Sequence, residues 1–218
     1  PFSHFLQYGL RLKERQEFEL SPANTGEYFH EFFDQFIKEL NALGLSLRDL
    51  TLEQKLAIEK DIFNRMKDNP KFAILGSSRR LNFVQGLLHQ TLMQTTNALQ
   101  KQALALETKP WMTEVVFGTS GNYPIHIPIG KNQSIHLRGK IDRIDLLQSD
   151  NGIYNGIIDY KSSEQRFEIA KLIAGVQIQL LTYLKVSEEI IRSETGTVPT
   201  PLEASYIHVH NRKFGVKE

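Results

Sequence analysis

The stretch Arg138-Gly-Lys-Ile-Asp142-Arg-Ile-Asp145-Leu-Leu147, with Ile153-Tyr-Asn-Gly156-Ile-Ile-Asp159-Tyr-Lys161 after it, decides how this chain folds. Both runs are rich in β-branched and apolar residues, and Ser149-Asp-Asn-Gly152 between them is turn chemistry. They read as two strands, residues 135–147 and 153–161. Side chains two apart share one face of a strand, so Asp159 and Lys161 project together from the end of a greasy run. Antiparallel pairing across Asp150-Asn151-Gly152 brings the Asp142 region beside the later strand, where two carboxylates can converge.

Upstream, residues 112–117 read as an earlier strand, with turn chemistry at residues 118–122 and 130–132. Before it the period changes to that of helices. Tyr28, Phe29, Phe32, Phe33, Phe36, Ile37 and Leu40 recur at helical spacing over 25–43, with Gly44 just beyond. Thr51 with Gln54 is a capping box that opens a helix over 52–67. Ser77 or Ser78 caps a third, long helix to about residue 106, which Lys109-Pro110 stops. Downstream, a helix from about residue 166 or 176 to 192 precedes Thr195-Gly196, Pro199 and Pro201, and residues 204–210 read as a last strand. The order is a helical region, three strands, a helix and a strand: an α/β protein. The opening Phe2, Phe5, Leu6, Tyr8, Leu10 and Leu12 form an apolar lead-in.

Composition narrows the function. The chain has 218 residues, 40% hydrophobic and 23% charged, so it can bury a core, and disordered or fibrous classes drop out. With 26 Lys+Arg against 25 Asp+Glu the net charge is +1, so no whole-molecule field draws it to nucleic acid, which must be held locally. Zero Cys excludes a disulfide framework, a thiolate zinc site or an iron-sulfur cluster bound within this segment. A metal here needs oxygen and imidazole ligands. No apolar run approaches the roughly 18 residues of a membrane span and no basic-then-apolar leader opens the chain, so a cytoplasmic location without membrane contact is expected. The first residue is Pro1 and the last pair Lys217-Glu218 follows an apparent strand, which suggests a piece of something longer. Gly130 and Gly139 precede Lys without the upstream Gly of a Walker loop, so ATP binding is not expected.

Mg²⁺ typically takes one or two carboxylates and keeps positions for water and substrate phosphate. Such a site suits phosphodiester hydrolysis, with a nearby Lys to hold hydroxide or steady the leaving oxygen. The bland alternatives stand beside it. Asp159 and Lys161 at the end of a buried strand are either a compensated ion pair or a metal site. Asp142 alone reads as a hairpin salt bridge with Arg138 or Arg143, and Asp145, facing the other way, makes such a pair. His30 on an apolar helix reads as a hydrogen-bonded core residue. Gln179 and Tyr183 share a helix face and read as half-buried packing. Glu114 is a further ligand or part of a core-edge strand. Arg79-Arg80 and Arg212-Lys213 are candidate phosphate contacts or merely solvated surface.

Taken together, Gly26-x-x-x-His30, Gly139-Lys-Ile-Asp142, Ile158-Asp159-Tyr-Lys161 and Gln179-x-x-x-Tyr183 resemble the RecB-like branch of the PD-(D/E)XK nuclease superfamily. Pro1-Phe2-Ser-His-Phe5 and Gly9-Leu-Arg-Leu-Lys-Glu-Arg15 extend the likeness to the AddB/RexB family of helicase-nuclease subunits. The resemblance implies an αβββαβ core at about 25–44 and 111–210, with a large helical elaboration at about 45–108, in one nuclease domain. It implies His30, Asp142 and Asp159 as ligands of Mg²⁺, with Mn²⁺ an acceptable substitute, Lys161 as the catalytic ammonium with Asp142 and Asp159, and Gln179 and Tyr183 as an accessory pair near DNA. It implies an exonuclease acting on DNA ends fed by an AddA/RexA-type helicase partner in double-strand break resection. Many members hold an iron-sulfur cluster through flanking cysteines, which this segment lacks. A non-catalytic DNA-end-binding or scaffolding domain that keeps the fold is the alternative.

Overall fold

Spacing in the sequence becomes packing in the structure, a computed structural model describing residues 22–105, 107–118, 123–128, 133–163 and 165–209. Helix α1, Pro22–Leu43, buries the whole Phe-rich stripe from Tyr28 through Leu40. Helix α2, Leu52–Asp68, opens on the expected box: Thr51 Oγ1 accepts from the Gln54 N–H at 3.2 Å, and Gln54 Oε1 accepts from the Thr51 N–H at 3.0 Å. Pro70 starts a 3₁₀ helix, Pro70–Gly76, that tucks in Phe72 and Leu75. Ser78 Oγ accepts from the Leu81 N–H at 3.2 Å and caps α3, Arg79–Ala105.

The strands are β1 Lys109–Phe117, β2 Ile125–Pro128, β3 Ser134–Leu137, β4 Gly139–Ser149 and β5 Gly152–Lys161. A single-turn helix α4, Ile169–Ile173, then α5, Gln179–Thr195, lead to β6, Thr200–His208. Four strands form one mixed sheet in the order β1-β4-β5-β6, antiparallel except for the parallel β5–β6 pair. Parallel strands need a crossover, and α5 supplies it. With the β2–β3 hairpin set aside, α1, β1, β4, β5, α5 and β6 run in αβββαβ order, and the helical part α2–α3 is inserted between α1 and β1. Ile158 and Tyr160 join the core of α1–α3, whereas Ile144 and Ile157 join that of α5. The sheet is therefore covered on both faces, as its long apolar runs require.

Three expectations need correction. Residues 135–147 are two strands, not one: β3 pairs with β2 in a separate hairpin and the chain breaks at Arg138. Two glycines permit the crossing. A Cβ at Gly118, whose φ is +74°, would lie 1.7 Å from the Leu137 carbonyl oxygen, and one at Gly139 would lie 2.8 Å from the Phe117 ring. The helix expected from residue 166 or 176 begins at Gln179. Before it α4 stops at Ile173, Gly175 just past its cap turns the chain with φ +71°, and the Gln177 side chain holds the link by accepting from the Glu168 N–H and donating to the Arg166 carbonyl. The last strand starts at Thr200 and tolerates Pro201 because β6 is an edge of the sheet. Lys109-Pro110 likewise open β1. The lead-in over residues 1–21, the turn residues 119–122 and 130–132, and Arg212-Lys213 lie outside the described residues.

Candidate metal centre

Strand pairing sets the first two carboxylates side by side. Arg143 sits opposite Ile158, so Asp142 and Asp159, the next residue towards the sheet end on each strand, neighbour one another. Asp142 Oδ2 accepts the Tyr160 main-chain N–H at 2.9 Å. Asp142 is 6% exposed and Asp159 2%, so both are held away from bulk water. On β1, Thr113 and Val115 pair with Arg143 and Ile141, which puts Glu114 alongside Asp142. Glu114 has φ +52°, a conformation uncommon for a non-glycine residue and costly in a strand.

Helix α1 supplies the imidazole. A Cβ at Gly26 would lie 3.4 Å from Ser162 Oγ, an ordinary contact distance, so α1 packs closely against the chain just past the end of β5. One turn later His30 Nδ1 lies 3.3 Å from Asp142 Oδ1 and 3.5 Å from Glu114 Oε1. The three donor atoms of His30, Glu114 and Asp142 all lie within 4.8 Å of one another. Burial disfavours protonation of His30, but Asp142 and Glu114 outweigh it and raise its pKa to about 9. Burial alone would raise Glu114; His30 and the ion-paired Lys140 turn the shift downward.

Asp159 stands beside this triad in a second cluster. Its Oδ2 lies 2.6 Å from Lys161 Nζ and its Oδ1 accepts from Gln179 Nε2 at 2.8 Å, while Gln179 Oε1 accepts from Lys161 at 3.2 Å. Burial, then the Asp142 charge, push the Asp159 carboxyl above its ordinary range. Gln179 thus bridges carboxylate and ammonium from the first turn of α5. Tyr183, one turn on, packs its ring edge-on to Phe117 at 6.0 Å. Asp145 makes the buried pair with Arg143 that its strand phase implies, on the opposite face from Asp142. Arg79 and Arg80 are exposed at the start of α3, and none of the contacts that build the cluster involves them.

The donors fit a hard divalent ion. His30 Nδ1 is buried without a well-formed hydrogen bond and looks onto two carboxylates, an arrangement a cation would complete. Sequence reasoning missed Tyr206, which β6 sets beside Asp159, and Lys140, the partner of Glu114. Neither has a spacing signature: Tyr206 arrives by parallel pairing with a strand far earlier in the chain.

Carboxylates, an imidazole and an ammonium at the end of an αβββαβ sheet are the arrangement of the nuclease class. Residues 1–217 match the family model of the PD-(D/E)XK nuclease superfamily, and the chain belongs to that superfamily. It is similar to the B subunit of the ATP-dependent helicase/deoxyribonuclease of Enterococcus faecalis, 38% identical over 214 residues, 96% of this chain and 18% of that protein. The same subunit of Latilactobacillus sakei is 34% identical over 226 residues, 100% of this chain and 19% of that protein. That of Listeria monocytogenes is 33% identical over 212 residues, 97% and 18% respectively. The chain spans under a fifth of the length of these relatives. Among the described residues no helix is long and apolar enough to cross a membrane.

Proposed function

We propose that this chain is a Mg²⁺-dependent exonuclease domain that hydrolyses DNA phosphodiester bonds at broken ends, paired with an AddA/RexA-type helicase subunit that feeds it a strand. The observation that carries this reading is the meeting of His30, Glu114 and Asp142 next to Asp159, Lys161 and Gln179. Its large helical part, about 45–108, is an elaboration on the nuclease core, and its place of work is the cytoplasm.

His30, Asp142 and Asp159 would hold the ion, with Glu114 as a fourth donor. When bound, the ion makes water a better nucleophile near neutral pH and offsets charge gathering on the phosphate. Lys161 has the reach and charge to orient the attacking water or steady the leaving oxygen. Gln179 fixes Asp159 and Lys161 relative to each other through its two amide ends. Tyr183 completes the accessory pair on the DNA side. Mn²⁺ serves in place of Mg²⁺, and imidazole makes it at least as good a fit.

The test is release of nucleotides from end-labelled single-stranded DNA with Mg²⁺, by the chain and by its complex with a helicase partner. Release that stops with EDTA and falls in Asp159→Ala is the expected result. Undiminished release in Asp159→Ala overturns the assignment of the site, and metal-independent, salt-sensitive binding without any cleavage by the complex overturns the nuclease reading in favour of a DNA-end-binding scaffold.

A further inference from the structure

Lys161 has a neighbour that the motif residues do not account for. Parallel pairing of β5 with β6 sets Tyr206 directly beside Asp159, on the face from which Lys161 also projects. Lys161 Nζ lies 5.4 Å from the centroid of the Tyr206 ring. The ammonium has three N–H donors, and among the described residues the nearby acceptors are Asp159 Oδ2 and Gln179 Oε1. Tyr206 attracts the cation through its ring face and offers it no carboxylate. A Glu there would capture the third N–H; an aliphatic residue would leave the long side chain free to swing.

We propose that Tyr206 is a positioning residue for Lys161: its ring seats the ammonium so that one N–H stays available to the reacting phosphate group. This rests on the reading of Lys161 as the catalytic ammonium. The hydroxyl is not the operative part, since the electrostatics of the seat belong to the ring. Phe should therefore replace Tyr206 and Leu should not.

Two measurements on the 218-residue chain and on its helicase complex test this. The first needs no activity: a cation held over a ring carries a ring-current shift, so the Lys161 ε-methylene resonance should lie upfield. Tyr206→Phe should keep that shift and Tyr206→Leu should lose it. The second is Mg²⁺-dependent nucleotide release. Tyr206→Leu should lower kcat about tenfold with KM within about twofold, and Tyr206→Phe should stay within about threefold of wild type, the scale of a partly desolvated cation–π contact. In a Lys161→Ala background, Tyr206→Leu should cost nothing further. An unshifted Lys161 resonance, a Phe variant as poor as Leu, or full additivity of the two losses overturns the proposal and leaves the nuclease reading standing. Undiminished release in Lys161→Ala removes the reading of Lys161 as the catalytic ammonium and this proposal with it.

Discussion

The main-chain N–H of Tyr160 donates to Asp142 Oδ2, so the residue between Asp159 and Lys161 holds the carboxylate of the neighbouring strand. The bond ties the two acidic positions into one rigid unit and separates a structural task of Asp142 from a charge-based one. Asp142→Asn keeps an acceptor for Tyr160 and removes the charge. It should melt within a few degrees of wild type while nucleotide release falls about a hundredfold or more, in line with loss of a strong electrostatic contribution. Asp142→Ala also strands a buried N–H, which should add about 1–3 kcal/mol of destabilisation in urea. Equal stability of Asn and Ala variants would refute the structural half.

His30 is the pH-sensitive group of the His30, Glu114 and Asp142 cluster. With Asp142 and Glu114 facing it, and Lys140 engaging the far side of Glu114, its pKa near 9 keeps it protonated at neutral pH in the metal-free protein. A cation must displace that proton. Binding of Ca²⁺ or Mn²⁺ should therefore release about one proton near pH 7 and tighten about tenfold per pH unit until the pKa is reached. Calorimetry in two buffers of different ionisation enthalpy reads the proton directly. His30→Asn should abolish the release; a zero count in wild type would show that His30 is not a ligand.

The fold was largely legible because its decisive signals are local. The Phe stripe of α1, the Thr51–Gln54 box and the Asp150–Gly152 turn each act within a few residues, and each produced its element. What was not legible depends on contacts distant in sequence. Residues 135–147 look continuous because nothing local reveals that Gly118 and Gly139 let β3 and β4 part into different sheets. The convergence of Asp142 with Asp159 follows from one hairpin and could be read. The turning of Glu114 towards His30 depends on a φ of +52° that no composition rule requests, and Tyr206 enters only through the β5–β6 pairing.

On the far face of the sheet, Arg143 makes two charge-assisted bonds of 2.5 Å to Asp145 and one of 3.3 Å to the Tyr160 hydroxyl, all buried. Tyr160 in turn stacks on Phe33 of α1 at 4.2 Å. Removing one partner leaves the other charge buried and unpaired. Arg143→Met should cost about 3–5 kcal/mol in denaturant unfolding, whereas Arg143→Met with Asp145→Leu should recover most of it. If the double variant is as unstable as the single one, the pair has no compensating role.

His89 gives the helical part an acid sensitivity. It stacks on Phe63 with ring centroids 3.8 Å apart, its Nε2 lies 2.7 Å from the Tyr28 hydroxyl, and burial lowers its pKa to about 4. The unfolded chain takes up the proton near pH 6.5 and the folded one only near 4, so between those values unfolding gains a proton. The stability that neutral His89 confers is complete above about pH 6.5 and is lost progressively as the pH falls towards 4. Between pH 7 and 4.5 this should remove about 2 kcal/mol, seen as the wild-type loss minus that of His89→Gln in urea titrations. A His89→Gln protein that loses just as much over the same interval would place the acid sensitivity elsewhere, in carboxylates held below their ordinary range, such as Glu114, rather than in the imidazole.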